Sequence, residues 1–252
     1  MLHVRNKNLI GFFVLILMSF SVYSGEQIIT PSPSVATVSA GGSVVIDVYY
    51  STANPVSDTL TGLGLYVHYD SSKLTFVSLT SVLSKSPIAN QTGQVDTNNI
   101  DGNAATDEYA LVSWADPFNN QWPNSGLANT LLFTANFIAK VPNSQATISF
   151  SASSTTNGYT LLASPATINI IKLDQTITFT APANDVIDSS ATLSATTDSG
   201  LAVNFSSNTP NICSVIGDTV SYLAAGTCTI LADQACNATY KAATQVSGNT
   251  NV

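Results

Sequence analysis

The stretch "GLGLYVHYDSSKLTFVSLT", residues 62–80, constrains the fold more than any other part of the chain. Leu63, Leu65, Val67 and Tyr69 fall on one side of an extended backbone, and Gly64, Tyr66 and His68 on the other. A period of two marks a half-buried β-strand, because successive side chains of a strand point to opposite faces. Asp70 and Ser71 then supply turn chemistry: short polar side chains that hydrogen-bond their own backbone. Leu74 and Phe76 return the chain to the core. On this reading His68 sits on the polar face beside Tyr66, as an exposed cross-strand partner.

The same texture continues in "SVVIDVYYS" (43–51), "YALVSWA" (109–115), "TLLFTANFIAK" (130–140), "ATISFSA" (146–152) and "ATINIIK" (166–172). β-branched and aromatic residues are concentrated between Gly, Ser, Asn, Asp and Pro clusters. No window sustains a helical period with caps, and the abundant Ser, Thr and Asn compete with helix by bonding locally to the backbone. Many short strands with turns between them predict an all-β sandwich or barrel. Past Asp174 the spacing tightens, through "QTITFTA", "SATLSAT", "LAVNFSS", "ICSVIG", "TVSYLAA" and "TCTILAD". A module boundary is expected at residues 172–175, dividing 25–172 from 173–252. The connection of a few residues has the two modules abutting.

Residues 1–24 have the layout of a secretory signal: Arg5 and Lys7, an apolar run from Leu9 to Phe20, then small residues with Val22 and Ser24 before Gly25. The run is short for a membrane span, which needs about 20 apolar residues. Export to the extracellular space or cell surface is therefore expected, with no membrane-spanning segment after cleavage. Removing that segment leaves five basic residues against fifteen acids. With no Lys/Arg cluster, such a surface repels phosphate backbones and excludes nucleic-acid binding. The three cysteines, Cys213, Cys228 and Cys236, lack Cys-x-x-Cys spacing, and the only histidines are His3 and His68. A structural zinc site of the usual four soft ligands is not expected.

The first module resembles the cohesin family of jelly-roll β-sandwiches, which shares its architecture with several carbohydrate-binding modules. The blocks that carry the likeness are "AGGSVVIDVYYS", the stretch 62–80 and "LANTLLFTANFIAK", within residues 34–172. The resemblance implies a non-catalytic binding module, whose partner is either a dockerin-like protein or a polysaccharide; the alternative expectation is a structural or adhesive cell-surface protein with no small ligand. The second module resembles bacterial Ig-like repeats, through "QTITFTAPAND", "SGLAVNFSSNTPNICSV" and "AAGTCTILADQACNATY". It implies a disulfide between Cys213 and Cys228, and departs from the repeat at Cys236, which stands where glycine is usual. Cys236 is then a free thiol, an intermolecular link or a competitor for Cys228. The repeat would also run on into a final strand, and the sequence reaches Val252 short of it.

The segment "DTNNIDGNAATDEYALVSWAD" (96–116) holds five acids and no cation. Like charges crowded in one loop repel, so the loop needs either open solvent or a bound cation. Calcium takes six to eight oxygen ligands, and Asp96, Asn98, Asp101, Asn103 and Asp107 are the candidate side-chain ligands, with Gly102 allowing a sharp turn. The spacing is not that of an EF-hand loop, which fails at Ile100. The plainer expectation is a solvated insertion between strands. Asp107, Glu108 and Asp116 offer carboxylates for glycoside hydrolysis, but one loop without a cleft rarely raises one acid's pKa, and an enzyme is not expected. Directly after them come Trp114, Phe118 and Trp122. Trp114 shares parity with Val112 and is expected in the core. Trp122 and Phe118 are the candidate sugar-stacking residues, with Trp122 as an exposed platform or, equally, a plug over the sandwich end.

Overall fold

The computed structural model describes residues 25–53, 60–84, 87–116, 122 and 129–252, and the signal-like segment 1–24 and Phe118 lie outside them. Among the described residues every regular element is a strand. The first module contains β1 (Gly25–Ser32), β2 (Val35–Ser39), β3 (Ser43–Ala53), β4 (Gly62–Tyr69) and β5 (Leu74–Thr80). It continues with β6 (Pro87–Val95), β7 (Glu108–Ala115), β8 (Thr130–Ala139), β9 (Ser144–Ser154), β10 (Tyr159–Ala163) and β11 (Ala166–Ile171). These form two sheets, in the orders β10-β1-β3-β8-β5 and β2-β11-β9-β4-β7-β6. All seven strands expected between residues 43 and 172 are present, whereas β1, β2, β6 and β10 are additions. β1 and β2 form one extended arm whose two halves join different sheets, each by a parallel pairing, β1 with β10 and β2 with β11.

The core lies between the sheets. Ile46, Val48 and Phe133 face it from one side, and Leu65, Val112 and Ile148 from the other, all fully buried. Aromatic rings close one end: Tyr69, Phe76 and Phe137 lie with centroids 5.3–6.0 Å apart. Such pairs add about 0.5–1.5 kcal/mol beyond their buried area. The expectation of a half-buried β4 is corrected. Seven of its eight residues are buried and only Tyr66 is intermediate, because β4 is flanked by β7 and β9 and its second face is also covered.

The remaining strands are β12 (Ile177–Phe179), β13 (Ser190–Thr192), β14 (Ala195–Thr197), β15 (Asn204–Ser207), β16 (Cys213–Ile216), β17 (Thr219–Tyr222), β18 (Thr227–Asp233) and β19 (Val246–Asn251). They make three small sheets, β12-β14, β13-β17-β16 and β15-β18-β19, around a separate cluster of Leu193, Cys213, Val220, Tyr222, Cys228 and Ile230. "SATLSAT" is not one strand but two. It changes sheet at buried Leu193, whose N–H donates to the Asp218 carbonyl at 2.7 Å. Cys213 and Cys228 are bonded, with Cα atoms 5.6 Å apart, and Cys236 is free and exposed. A cross-link over fifteen residues contributes about 3 kcal/mol in the chain-entropy account, a large share of the stability of so small a core. A strand does close this region: β19 pairs with β18 from Val246 to Asn251.

Candidate functional site

β4 occupies the interior of the six-stranded sheet, and His68 projects from it on the side away from the core. Its backbone pairs with Tyr109 on β7 and Ser149 on β9. Contrary to the expectation of an exposed partner, His68 is fully buried. The cover is the acidic segment itself. After β6 the chain runs through residues 96–107 as a loop closed at its base by Asp96 N–H to the Asp107 carbonyl, 2.8 Å. The loop turns at Asn99 (φ 49°) and Gly102 (φ 73°), where a left-handed backbone suits asparagine and glycine. That fold lays Asp96 and Asp101 over the imidazole.

The resulting cluster holds His68, Asp96 and Asp101, with one potential ligand atom from each within 4.8 Å of the others. Asp96 Oδ2 stands 3.5 Å from His68 Nδ1, and both side chains are essentially solvent-free. Asp96 Oδ2 also accepts the Ile100 N–H at 2.9 Å. Asp101 Oδ2 accepts from Thr106 Oγ1 at 2.7 Å and Ser149 Oγ at 2.8 Å, and Oδ1 from the Asn103 N–H. On the other side of the ring, Nε2 lies 2.7 Å from Ser151 Oγ. Nδ1 has no hydrogen-bond partner. The rings of Tyr66 and Tyr109 flank the imidazole, with centroids 5.8 and 6.0 Å away. Burial lowers the imidazole's pKa, and the Asp101 and Asp96 carboxylates push it back up without prevailing. For Asp101, burial alone would raise the carboxyl, but the hydrogen bonds from Thr106, Asn103 and Ser149 outweigh it and hold it below the usual value.

Of the five residues expected to hold calcium, the structure brings together Asp96 and Asp101. Asn98 is exposed, and its N–H serves Asp96 Oδ1 at 3.3 Å. Asn103 is exposed and its Oδ1 accepts the Ala105 N–H at 3.1 Å. Asp107 turns to the neighbouring turn, where Oδ1 accepts the Ser71 N–H and Oδ2 the Ser71 hydroxyl, both at 2.7 Å. The remaining acids are equally occupied. Glu108 accepts a short hydrogen bond from the Tyr69 hydroxyl, and burial, then Glu108, hold that phenol far above its ordinary pKa. Asp116 Oδ2 accepts the Trp122 N–H at 2.7 Å. Asp107, Glu108 and Asp116 thus each bond a different partner.

Trp114 is in the core, as its parity required, with Nε1 donating to the Leu83 carbonyl at 3.0 Å. Trp122 is buried too, 3% exposed, and the exposed-platform reading is corrected: it is the plug. Its ring packs against Tyr50 and Trp114, each with a centroid 5.3 Å away. Beneath it, buried Gln27 joins the network, donating to Tyr50 Oη at 3.1 Å and the Gly62 carbonyl at 3.0 Å. A ring that fills the sandwich end has no free face for a sugar.

The opposite sheet differs. On its outward side β3, β8 and β5 present Val45 and Val77, 51% and 52% exposed, around half-buried Ile138, beside a shallow depression of about 300 Å³. A bulge between Phe76 and Ser78 leaves Val77 without a partner on β8. One extra residue re-aims the strand and turns an additional apolar side chain outward. Sequence reasoning assigned these residues no role. The available signal was Leu74 and Leu79, both buried although five residues apart, an odd spacing that a regular strand cannot place on one face.

No protein-family model matches the chain, and no curated protein matches it. Solved structures do. One is a type I cohesin in a cohesin–dockerin complex from Clostridium thermocellum, 16% identical over 59% of this chain and 99% of that one, with TM-score 0.41. Another is the third ScaC cohesin with the ScaB dockerin from Acetivibrio cellulolyticus, 13% identical over 58% and 99%, TM-score 0.40. A third, from a family 33 glycoside hydrolase of Clostridium perfringens, is 9% identical over 59% and 98%, TM-score 0.36. All three are cohesin modules.

Proposed function

We propose that the first module is a non-catalytic attachment module of the cohesin type, which docks a dockerin-like helical protein on the outward face of β3, β8 and β5. The observation that carries this reading is the exposed Val45 and Val77 beside Ile138 on a sheet face that no other described segment of the module covers. Contiguous apolar surface on a regular sheet suits a protein partner, because burying it offsets the cost of association. Among the described residues, the carboxylates of 96–116 are each held by a partner within the fold. In the same reading the second module is an Ig-like spacer stapled by its disulfide, and the protein works outside the cytoplasm.

Isothermal titration of the full chain against a panel of dockerin modules tests the proposal. The expected result is saturable one-to-one binding that Val45→Glu and Val77→Asp each weaken while the melting temperature holds. A silent panel, or binding indifferent to both substitutions, overturns it.

A further inference from the structure

His68 is buried in the middle of a sheet, yet one of its two nitrogens has nothing to bond. Ser151 Oγ meets Nε2 at 2.7 Å, while Nδ1 faces Asp96 Oδ2 at 3.5 Å without hydrogen-bond geometry. A buried polar atom left unsatisfied forfeits its hydration with nothing in return. Beside it, Asp101 adds a second carboxylate to the same small space. Two carboxylates closing on one imidazole repel each other unless a cation lies between them.

We propose that His68 Nδ1, Asp96 and Asp101 form a site for a zinc-class divalent cation, which pins the 96–107 loop to the sheet. Ligand chemistry selects the class. Calcium is held by oxygens alone, whereas an imidazole nitrogen with two carboxylates suits first-row ions such as zinc. The spacing agrees. With ligands about 2.0–2.2 Å from zinc, neighbouring ligand atoms of a tetrahedron lie about 3.3–3.6 Å apart. The His68–Asp96 separation of 3.5 Å is close to that figure, and Asp101 lies within 4.8 Å. The supporting groups are those that orient metal ligands. Ser151 Oγ, beside Nε2, can accept its proton in the tautomer that turns the Nδ1 lone pair toward a metal; Thr106 and Ser149 hold Asp101. Three protein ligands leave one position for water.

The test uses the full chain carrying Cys236→Ser, so that the exposed thiol binds no metal, and His3→Ala, so that His68 is the only imidazole. After chelator treatment, zinc is titrated by calorimetry and the melting temperature is followed. The expected result is one zinc per chain, with melting raised by about 5–10 °C at a hundredfold excess over the dissociation constant. Asp96→Asn and Asp101→Asn lose the binding at least about a hundredfold, and Ser151→Ala loses about 10–100-fold. Long-range ¹H–¹⁵N spectra supply a readout that needs no variant at His68: zinc shifts the Nδ1 resonance while Nε2 stays protonated. Absence of zinc uptake overturns the site. So does uptake that survives both aspartate substitutions, an unmoved Nδ1 resonance, or calcium stabilising the chain where zinc does not.

Discussion

Two surfaces of the first module contrast. The segment 96–122 carries acids, asparagines and tryptophans, the residue types that bind ions and sugars. The face of β3, β8 and β5 carries Val, Thr, Ser and Asn, the ordinary text of a strand. In the structure the acids and tryptophans described in the first are taken up within the fold. Asp107 caps the Ser71 turn, Glu108 accepts the Tyr69 hydroxyl's hydrogen bond, Asp116 anchors the Trp122 backbone, and Trp122 fills the sandwich end. The second face is open, with Val45 and Val77 in solvent. The lesson is that chemical richness in a sequence often serves the fold, and an interaction surface is recognised by what covers it.

The contrast can be broken by experiment, beginning with its largest consequence. Trp122→Ala is expected to cost about 3–5 kcal/mol in urea denaturation, as for any large buried ring, because Tyr50, Trp114 and the Gln27 network lose their cover. A variant as stable as the parent would return Trp122 to the surface and reopen sugar stacking. Tyr69→Phe removes the donor to a half-buried carboxylate and is expected to cost about 1.5–3 kcal/mol, the range for hydrogen bonds to charged groups.

Asp107→Ala is smaller, about 1 kcal/mol, and it depends on pH. Burial raises this carboxyl, but the Ser71 N–H and hydroxyl outweigh burial and hold its folded-state pKa below the ordinary value. A depressed folded pKa gives stability that is complete above the unfolded value, near 4, and fades as pH falls through the folded one. Parent and variant should therefore differ at pH 7 and converge as the pH falls through the folded-state value. A constant gap across that range would show that Asp107 acts by packing. Smallest in stability is Val77→Asp, expected within about 0.5 kcal/mol because the side chain is exposed on a bulge. The same substitution should weaken a docked partner at least about tenfold by titration calorimetry. A marked loss of stability would mean that this face is not the bare one.

Much of the architecture was legible. Alternation in 43–51, 63–70 and 146–152 translates directly into β3, β4 and β9, since period-two burial is a local property of extended backbone. The Cys213–Cys228 bond followed from the Ig-like likeness and is present. β19 was not legible. "VSGNTN" has little strand propensity and becomes a strand because β18 offers it an unpaired edge, from Ala232↔Val246 to Thr227↔Asn251. Nor was β1, where Gly25–Ser32 lies against β10 and β3, partners 15 to 134 residues away. In the candidate site, Asp96 and Asp101 were picked out by their charge. His68 was placed on the correct face of β4 but with the wrong exposure, because its cover comes from a loop beginning 28 residues later.

By itself, the sequence determined the all-β class, most of the strands of the sandwich and which residues of each strand face inward, because side-chain alternation and turn chemistry act over a few neighbouring residues. Only the tertiary structure decided which outward face is covered. Exposure depends on where a distant segment comes to rest, and the loop 96–107 comes to rest on His68 while nothing described in the module rests on Val45 and Val77.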